Sequence, residues 1–151
     1  MKIYIVKETT IDEKRVSLVP DVAKKFVKDG FDVFLEKDAG YMSKFTDEDY
    51  SSLGVNIDDN HENISDADII FCVRMPDDNL INKIKSGACL IGLLNPYDNK
   101  EKLELLSKKG VNAFSMELIP RSPRAQSMDV LSSQSNLAGY KAVINSASLY
   151  N

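Results

Sequence analysis

The chain has 151 residues, of which 43% are hydrophobic and 28% are charged, a composition that fits one globular domain with a full core. Nineteen basic and twenty-three acidic residues give a net charge of −4, with an isoelectric point near 5.0. This balance argues against broad electrostatic binding to nucleic acid or to anionic lipid. The sequence shows no secretory signal pattern and no apolar stretch of membrane-spanning length, so it predicts a soluble chain.

Short apolar runs alternate with segments of helical period along the chain. The predicted strands cover residues 3–6, 33–35, 69–73, 89–94 and 111–116. The predicted helices cover residues 20–30, 47–53, a segment that begins at 77–78, 99–109, and 132–151. Five or six strands in this alternation predict an α/β fold with a doubly wound, mostly parallel sheet of the flavodoxin or Rossmann-like kind.

The cysteines, the histidine and the glycines exclude several kinds of site. Cys72 and Cys89 lie in apolar segments typical of buried strands, which fits packed, reduced thiols. The single histidine, His61, lies in the polar stretch 58–63, and we expect it to be a solvated loop residue. No glycines have the GxGxxG spacing, and the phosphate-loop pattern also fails, so the chain lacks a recognisable cradle for nucleotide phosphates.

A dense set of polar side chains lies between the last predicted strand and the last helix, in the segment MELIPRSPRAQSMDVLSSQSNLAGY. Arg121 and Arg124 alternate with prolines, and Gln126, Asp129 and a serine cluster over 132–135 follow them. Such a loop can present a guanidinium and a carboxamide to a planar polar ligand while Asp129 pairs with one of the arginines. The same composition also fits an ordinary connection capped by serines, and the residues alone leave both interpretations open.

Charged and polar side chains also follow three of the predicted strands. Lys7 and Glu8 follow the first strand, Arg74 follows the strand over 69–73, and Asn95 follows the next one. The carboxyl ends of parallel strands meet at the edge where open α/β sheets bind ligands, so we expect these side chains to converge there. Surface charges that happen to follow strands are the alternative interpretation.

Together these residues resemble the N-terminal part of the alpha subunits of proton-translocating NAD(P) transhydrogenases, a family in the same superfamily as alanine dehydrogenase. The resemblance covers essentially the whole chain, from Lys7-Glu8 through Arg15-Val16 to residues 67–70, and it is most specific over residues 117–144. It implies an N-terminal domain over residues 1–131. It also implies that residues 132–151 form a linker helix toward an NAD-binding domain that this sequence does not contain.

The resemblance implies a role in hydride transfer between NAD(H) and an NADP(H) held by a partner component, coupled to proton translocation and without a metal. Arg121, Gln126 and Asp129 match the family's Arg-Gln-Asp loop, with Ser132 close behind, and all four are implied to bind the cofactor. The first three are implied to act in catalysis. Direct transfer between two nicotinamide rings needs groups that fix their distance and orientation rather than a strong acid or base.

The implied partners are a second copy of the chain, the rest of the alpha subunit, and the NADP(H)-binding beta subunit of a membrane complex. The implied location is cytoplasmic and peripheral to the inner membrane, with no direct insertion and no nucleic acid. We expect the 151-residue chain alone to be inactive.

Two alternatives remain. An NAD-dependent dehydrogenase of the alanine type is expected to use an arginine after the first strand, a lysine after the Ala-Asp strand and a histidine after the following strand. Here Arg15 is kept, Arg74 replaces the lysine and Asn95 replaces the histidine. Loss of the imidazole removes the natural proton donor near neutral pH and disfavours amino-acid oxidation. The other alternative is a non-catalytic dimerisation or scaffold fragment.

Overall fold

A computed structural model describes residues 1–150, which contain six strands and five α-helices. The strands are β1 (Lys2–Ile5), β2 (Asp32–Glu36), β3 (Asn56–Asp58), β4 (Ile69–Arg74), β5 (Cys89–Leu93) and β6 (Asn112–Ser115). The helices are α1 (Pro20–Lys28), α2 (Asp47–Ser51), α3 (Asp78–Lys83), α4 (Lys100–Lys108) and α5 (Val130–Leu149). The chain divides into two compact units: a sheet unit, Met1–Ser115, and a C-terminal unit that begins at Met116.

The sheet unit contains one parallel sheet in the order β3-β2-β1-β4-β5-β6. The connections run outward from β1 in one direction and from β4 in the other, so the order reverses between these two central strands. This is the predicted doubly wound α/β fold, and the Rossmann-like class is confirmed. A parallel strand covered on both faces is apolar at successive positions, and Ile3, Tyr4 and Ile5 of β1 are all fully buried.

Two hydrophobic clusters pack on opposite faces of the sheet because side chains alternate along each strand. One cluster joins Tyr4 and Ile70 to Ile81 of α3 and Leu106 of α4. The other joins strand residues to α1 and α2, and it includes Ile3, Ile5, Leu35, Ala23 and Tyr50. The Tyr50 hydroxyl donates a hydrogen bond of 2.8 Å to the carbonyl of Leu18, which satisfies its polar end in the core.

Local signals explain where the helices begin. Pro20 occupies the first turn of α1, where a missing N–H costs nothing. Asp77 accepts a hydrogen bond of 2.8 Å from the main-chain N–H of Leu80 and caps α3, as predicted. The capping residue of α2 is Thr46 rather than an aspartate within the helix, because Thr46 and Asp49 form a reciprocal capping box.

The sequence did not predict β3. Its three residues, Asn56, Ile57 and Asp58, lack an apolar run, and β3 exists because it pairs with the end of β2. Both cysteines lie in strands as predicted, with Cys72 buried and Cys89 half-buried, and both are free thiols.

The C-terminal unit contains a polar loop followed by the 20-residue helix α5. The helix begins two residues before the predicted start, and the last residue of the predicted helix, 151, lies outside the described residues. No described residue of α5 is buried, and its exposed apolar residues include Leu137, Tyr140, Val143 and Ile144. A helix with apolar residues exposed over its length has surface available for packing against another element. Among residues 1–150, no helix is long and apolar enough to cross a membrane.

Candidate functional site

The loop before α5 encloses a cavity of about 300 Å³ within the C-terminal unit, which we call the loop cavity. All four residues that the family resemblance singles out line it, namely Arg121, Gln126, Asp129 and Ser132. Arg124 is not among its lining residues. The structure therefore brings the predicted cofactor-binding residues together and separates the two arginines of the loop.

Successive tight turns set the shape of this loop. The main-chain N–H of Ala125 donates to the carbonyl of Ser122 at 3.0 Å, and that of Met128 donates to Ala125 at 2.9 Å. Ala125 is buried, whereas the side chains on either side of it are exposed. Pro120 and Pro123 restrict the backbone further, so the loop is held by its own main chain.

Asp129 holds the end of the loop differently from our expectation. One carboxylate oxygen accepts from the main-chain N–H of Ser132 at 2.9 Å, and the other accepts from its hydroxyl at 2.7 Å. These bonds cap α5. Within residues 1–150 no ion pair joins Asp129 to Arg121 or Arg124, so the expected pairing is wrong. The hydrogen bonds from Ser132 lower the pKa of Asp129, and the charge of Arg121 adds to that effect.

The side chains of Arg121 and Gln126 are exposed, and neither makes a hydrogen bond or ion pair with any other residue between 1 and 150. Arg121 offers a planar set of N–H donors, and Gln126 offers both a donor and an acceptor without charge. A loop folded inward would have consumed these groups in internal contacts. Their availability at the loop cavity is therefore compatible with ligand binding.

A second polar region lies at the carboxyl ends of β1 and β4 in the sheet unit. Glu8 accepts hydrogen bonds from the main-chain N–H groups of Val73 and Arg74, at 2.6 and 3.0 Å. Burial raises the pKa of Glu8. These bonds tie the end of β1 to the end of β4, so the predicted convergence of the strand ends is confirmed for this pair.

Beside this contact lies a cavity of about 230 Å³, which we call the switch-point cleft because it opens where the strand order reverses. Its polar lining includes Lys7, Glu8, Glu36, His61, Arg74 and Lys83. His61 is not the solvated residue that we expected: its side chain is 37% exposed, and its Nδ1 lies 3.7 Å from Oε1 of the buried Glu36.

Arg15 and Arg74 are joined by a residue that the sequence analysis did not single out, Glu13. The Nε and Nη2 atoms of Arg15 each donate to the Glu13 carboxylate at 2.7 Å, and Arg74 Nε donates to it at 2.9 Å. The side chain of Glu13 is only 6% exposed, and the hydrogen bonds from Arg15 are the main cause that lowers its pKa to about 2. The charges of both arginines are therefore largely compensated inside the chain.

The polar positions that follow β4 and β5 also share a cavity, of about 440 Å³, lined by Arg74, Asn95, Asn99 and Lys102 among others. The side-chain amide of Asn95 donates to Asp98 at 2.7 Å. An amide has no proton to give near neutral pH, so Asn95 cannot serve as a general acid.

The fold and these sites define a nucleotide-enzyme domain of the α/β class. The chain belongs to the family described as "Alanine dehydrogenase/PNT, N-terminal domain", whose model matches residues 4–138. It is 42% identical to the first of the separately encoded pieces of the NAD(P) transhydrogenase alpha subunit from Rickettsia prowazekii, over 99% of this chain and 40% of that protein. It is 31% identical to alanine dehydrogenase 1 from Staphylococcus aureus, over 97% of this chain and 38% of that enzyme.

A solved structure agrees with the sequence comparison. The transhydrogenase from Sinorhizobium meliloti superposes with a TM-score of 0.94 and 41% identity, over 100% of this chain and 45% of that one. The chain thus spans about two fifths of the length of these two curated relatives. Its transhydrogenase relatives belong to an oxidoreductase class.

Proposed function

We propose that the chain is the N-terminal part of the NAD(H)-binding component of an NAD(P) transhydrogenase, which transfers hydride between NAD(H) and NADP(H) while protons cross a membrane. The identity of 42% to a transhydrogenase alpha subunit, against 31% to an alanine dehydrogenase, favours this branch of the family. The observation that carries the proposal is the loop cavity, where the side chains of Arg121 and Gln126 have no hydrogen-bond or ion-pair partner among residues 1–150.

The residues of the loop cavity fit the nicotinamide end of NAD(H), which supplies the hydride when it is bound. Gln126 is assigned to hold an amide group through one donor and one acceptor, which fixes orientation without adding charge. Arg121 is assigned to balance negative charge on the nucleotide. Asp129 and Ser132 keep the loop in place through their mutual hydrogen bonds and contribute to the lining of the cavity.

The rest of the nucleotide needs groups from another domain. The chain has no glycine-rich phosphate cradle, and the proposal places that cradle in the remainder of the alpha subunit. In this arrangement residues 1–131 form the first domain and residues 132–151 the linker helix. A second copy, and a beta subunit that carries NADP(H) in a membrane-associated complex, complete the assembly.

The sheet unit supports the same choice between the two branches of the family. Arg15 and Arg74 are compensated by Glu13, and the residue after β5 and Leu94 is an asparagine. An alanine-type dehydrogenase needs a cation for the substrate carboxylate and a proton donor for its 2-oxo product. A complete enzyme containing this chain that deaminated alanine with NAD would decide for that alternative.

The decisive experiment measures hydride transfer and NADH affinity separately in a transhydrogenase complex reconstituted around this chain. Gln126→Asn keeps the amide but shortens its reach, so we expect hydride transfer to fall by about tenfold or more while NADH affinity changes little. Equal losses in rate and affinity would contradict an orienting role.

A matched pair of arginine variants controls for charge. Arg121→Gln removes a cation that lines the loop cavity, whereas Arg124→Gln removes one that does not. We expect only Arg121→Gln to weaken NADH binding. Similar effects of both variants would point to nonspecific electrostatics, and no effect of either would favour a scaffold role.

A further inference from the structure

A cluster of titratable residues lies at the carboxyl ends of β2 and β3 and is not used by the proposed hydride transfer. Glu36 and Asp58 are the last residues of these strands, and they are register partners. Both are buried, at 9% and 4% exposure. Two buried carboxylates side by side repel one another, so each needs a compensating partner.

Main-chain groups compensate three of the four carboxylate oxygens. The oxygens of Asp58 accept from the N–H groups of Asn60 and Asn63, at 3.2 and 3.0 Å, and this fixes the loop that follows β3. Oε2 of Glu36 accepts from the N–H of Lys7 at 2.9 Å. The remaining oxygen, Oε1 of Glu36, has Nδ1 of His61 as its neighbour at 3.7 Å.

The His61 side of this contact depends on the proton. Nδ1 is enclosed and, among residues 1–150, has no hydrogen-bond partner within 3.5 Å. The backbone of His61 has φ 54, a left-handed conformation that a non-glycine residue keeps only when its surroundings hold it. A neutral imidazole at 3.7 Å holds it weakly, whereas an imidazolium beside a buried carboxylate holds it through an ion pair.

We propose that Glu36 and His61 form a proton-operated latch: protonation of His61 fastens residues 59–63 to the end of β2, and loss of the proton releases them from the switch-point cleft. Glu36 and His61 both line that cleft, so release of the loop changes one of its walls. Burial raises the pKa of Glu36, which sets a lower pH limit because the ion pair also requires an ionised carboxylate.

Other groups near the pair set its background charge. Tyr4 comes from β1, Lys7 follows β1, and Asp58 ends β3. The remaining charged residues of the cleft lining are Glu8, Arg74, Asp77 and Lys83. The surface pair of Lys37 and Asp59, 3.1 Å apart, also ties the loop to the end of β2. It does not titrate near neutral pH, which makes it a suitable control.

Hydrogen exchange of the full chain tests the latch. The reporters are the main-chain N–H groups of Asn60 and Asn63, with rates corrected for the intrinsic pH dependence of exchange. In the native protein we expect their protection to fall by about threefold or more between about pH 5.5 and pH 8. Protection that stays constant over this range would overturn the proposal.

Two variants assign the change to the pair. His61→Gln removes the titrating group at a partly exposed position, so the pH dependence should disappear while the loop stays in its released state. Asp59→Asn removes the surface pair and should lower protection equally at all pH values. The same fall in protection in His61→Gln as in the native protein would assign the titration to another group and overturn the latch. Because His61→Gln leaves the buried carboxylates in place, the test does not require a change in the core.

Discussion

Removal of the Glu13 carboxylate is the perturbation whose magnitude follows most directly from the structure. Its pKa is lowered from 4.5 to about 2, chiefly by the hydrogen bonds from Arg15 and with a contribution from Arg74. At about 1.4 kcal/mol per pH unit, this depression corresponds to an upper limit of about 3 kcal/mol of stability at neutral pH. The side chains of the two arginines are 37% and 49% exposed, so screening by water reduces the expected value to about 1–2 kcal/mol.

The pH dependence has a definite sign. A carboxyl whose pKa is depressed in the folded state stabilises the protein above its unfolded pKa, and it loses this contribution as the pH falls toward its folded pKa. Glu13→Gln should therefore lower the free energy of unfolding at pH 7. The difference between native protein and variant should shrink between about pH 5 and pH 2, where the native Glu13 becomes protonated.

Urea denaturation at a series of pH values, with the native protein and Glu13→Gln measured side by side, gives this difference directly. Other acidic groups titrate equally in both proteins and cancel. Asp59→Asn, which removes an exposed pair with Lys37, is the control and should change stability by less than about 0.5 kcal/mol. A gap between native protein and Glu13→Gln that stays the same from pH 7 to the acid limit would refute the reasoning.

Further variants test the packing and the helix cap. Gly40→Ala would place a Cβ 2.7 Å from the ring of Tyr50 and 2.8 Å from the carbonyl of Phe45, so thermal denaturation should show a loss of about 1–3 kcal/mol. Gly139→Ala in α5 meets nothing within 4 Å and should stabilise the helix by up to about 1 kcal/mol; destabilisation there would show that α5 needs a close approach at this glycine. Asp129→Ala removes the cap of α5 and should reduce its stability by about 1 kcal/mol, seen as faster amide exchange in the first turn, whereas unchanged exchange would exclude a capping role.

The two polar regions of the chain differ in how much of their charge is already used. In the sheet unit, Glu13 compensates Arg15 and Arg74, and Glu8 binds main-chain N–H groups. In the C-terminal unit, the side chains of Arg121 and Gln126 have no such partner among residues 1–150. This contrast is the physical reason to place nucleotide contacts in the loop rather than at the strand ends.

Much of the fold was predictable because the deciding interactions are short in range. The two-sided apolar runs that became β4 and β5 are typical of central parallel strands, and their period identified the sheet. The loop residues were identified by resemblance, and the structure places four of them around one cavity. The bond between Asp129 and Ser132 was also accessible, because an aspartate three residues before a helical N–H is a capping pattern.

The amino-acid sequence by itself determined the class of sheet, the order of its main elements and the polar loop before α5, since periodicity, capping and local motifs act over a few residues. Only the tertiary structure decided which distant charges meet. Arg74 reaches Glu13 across 61 residues, and β3 forms only where β2 offers an edge, bringing Asp58 beside Glu36. Such contacts depend on strand register and on the burial of charge, and neither leaves a periodic pattern in the sequence.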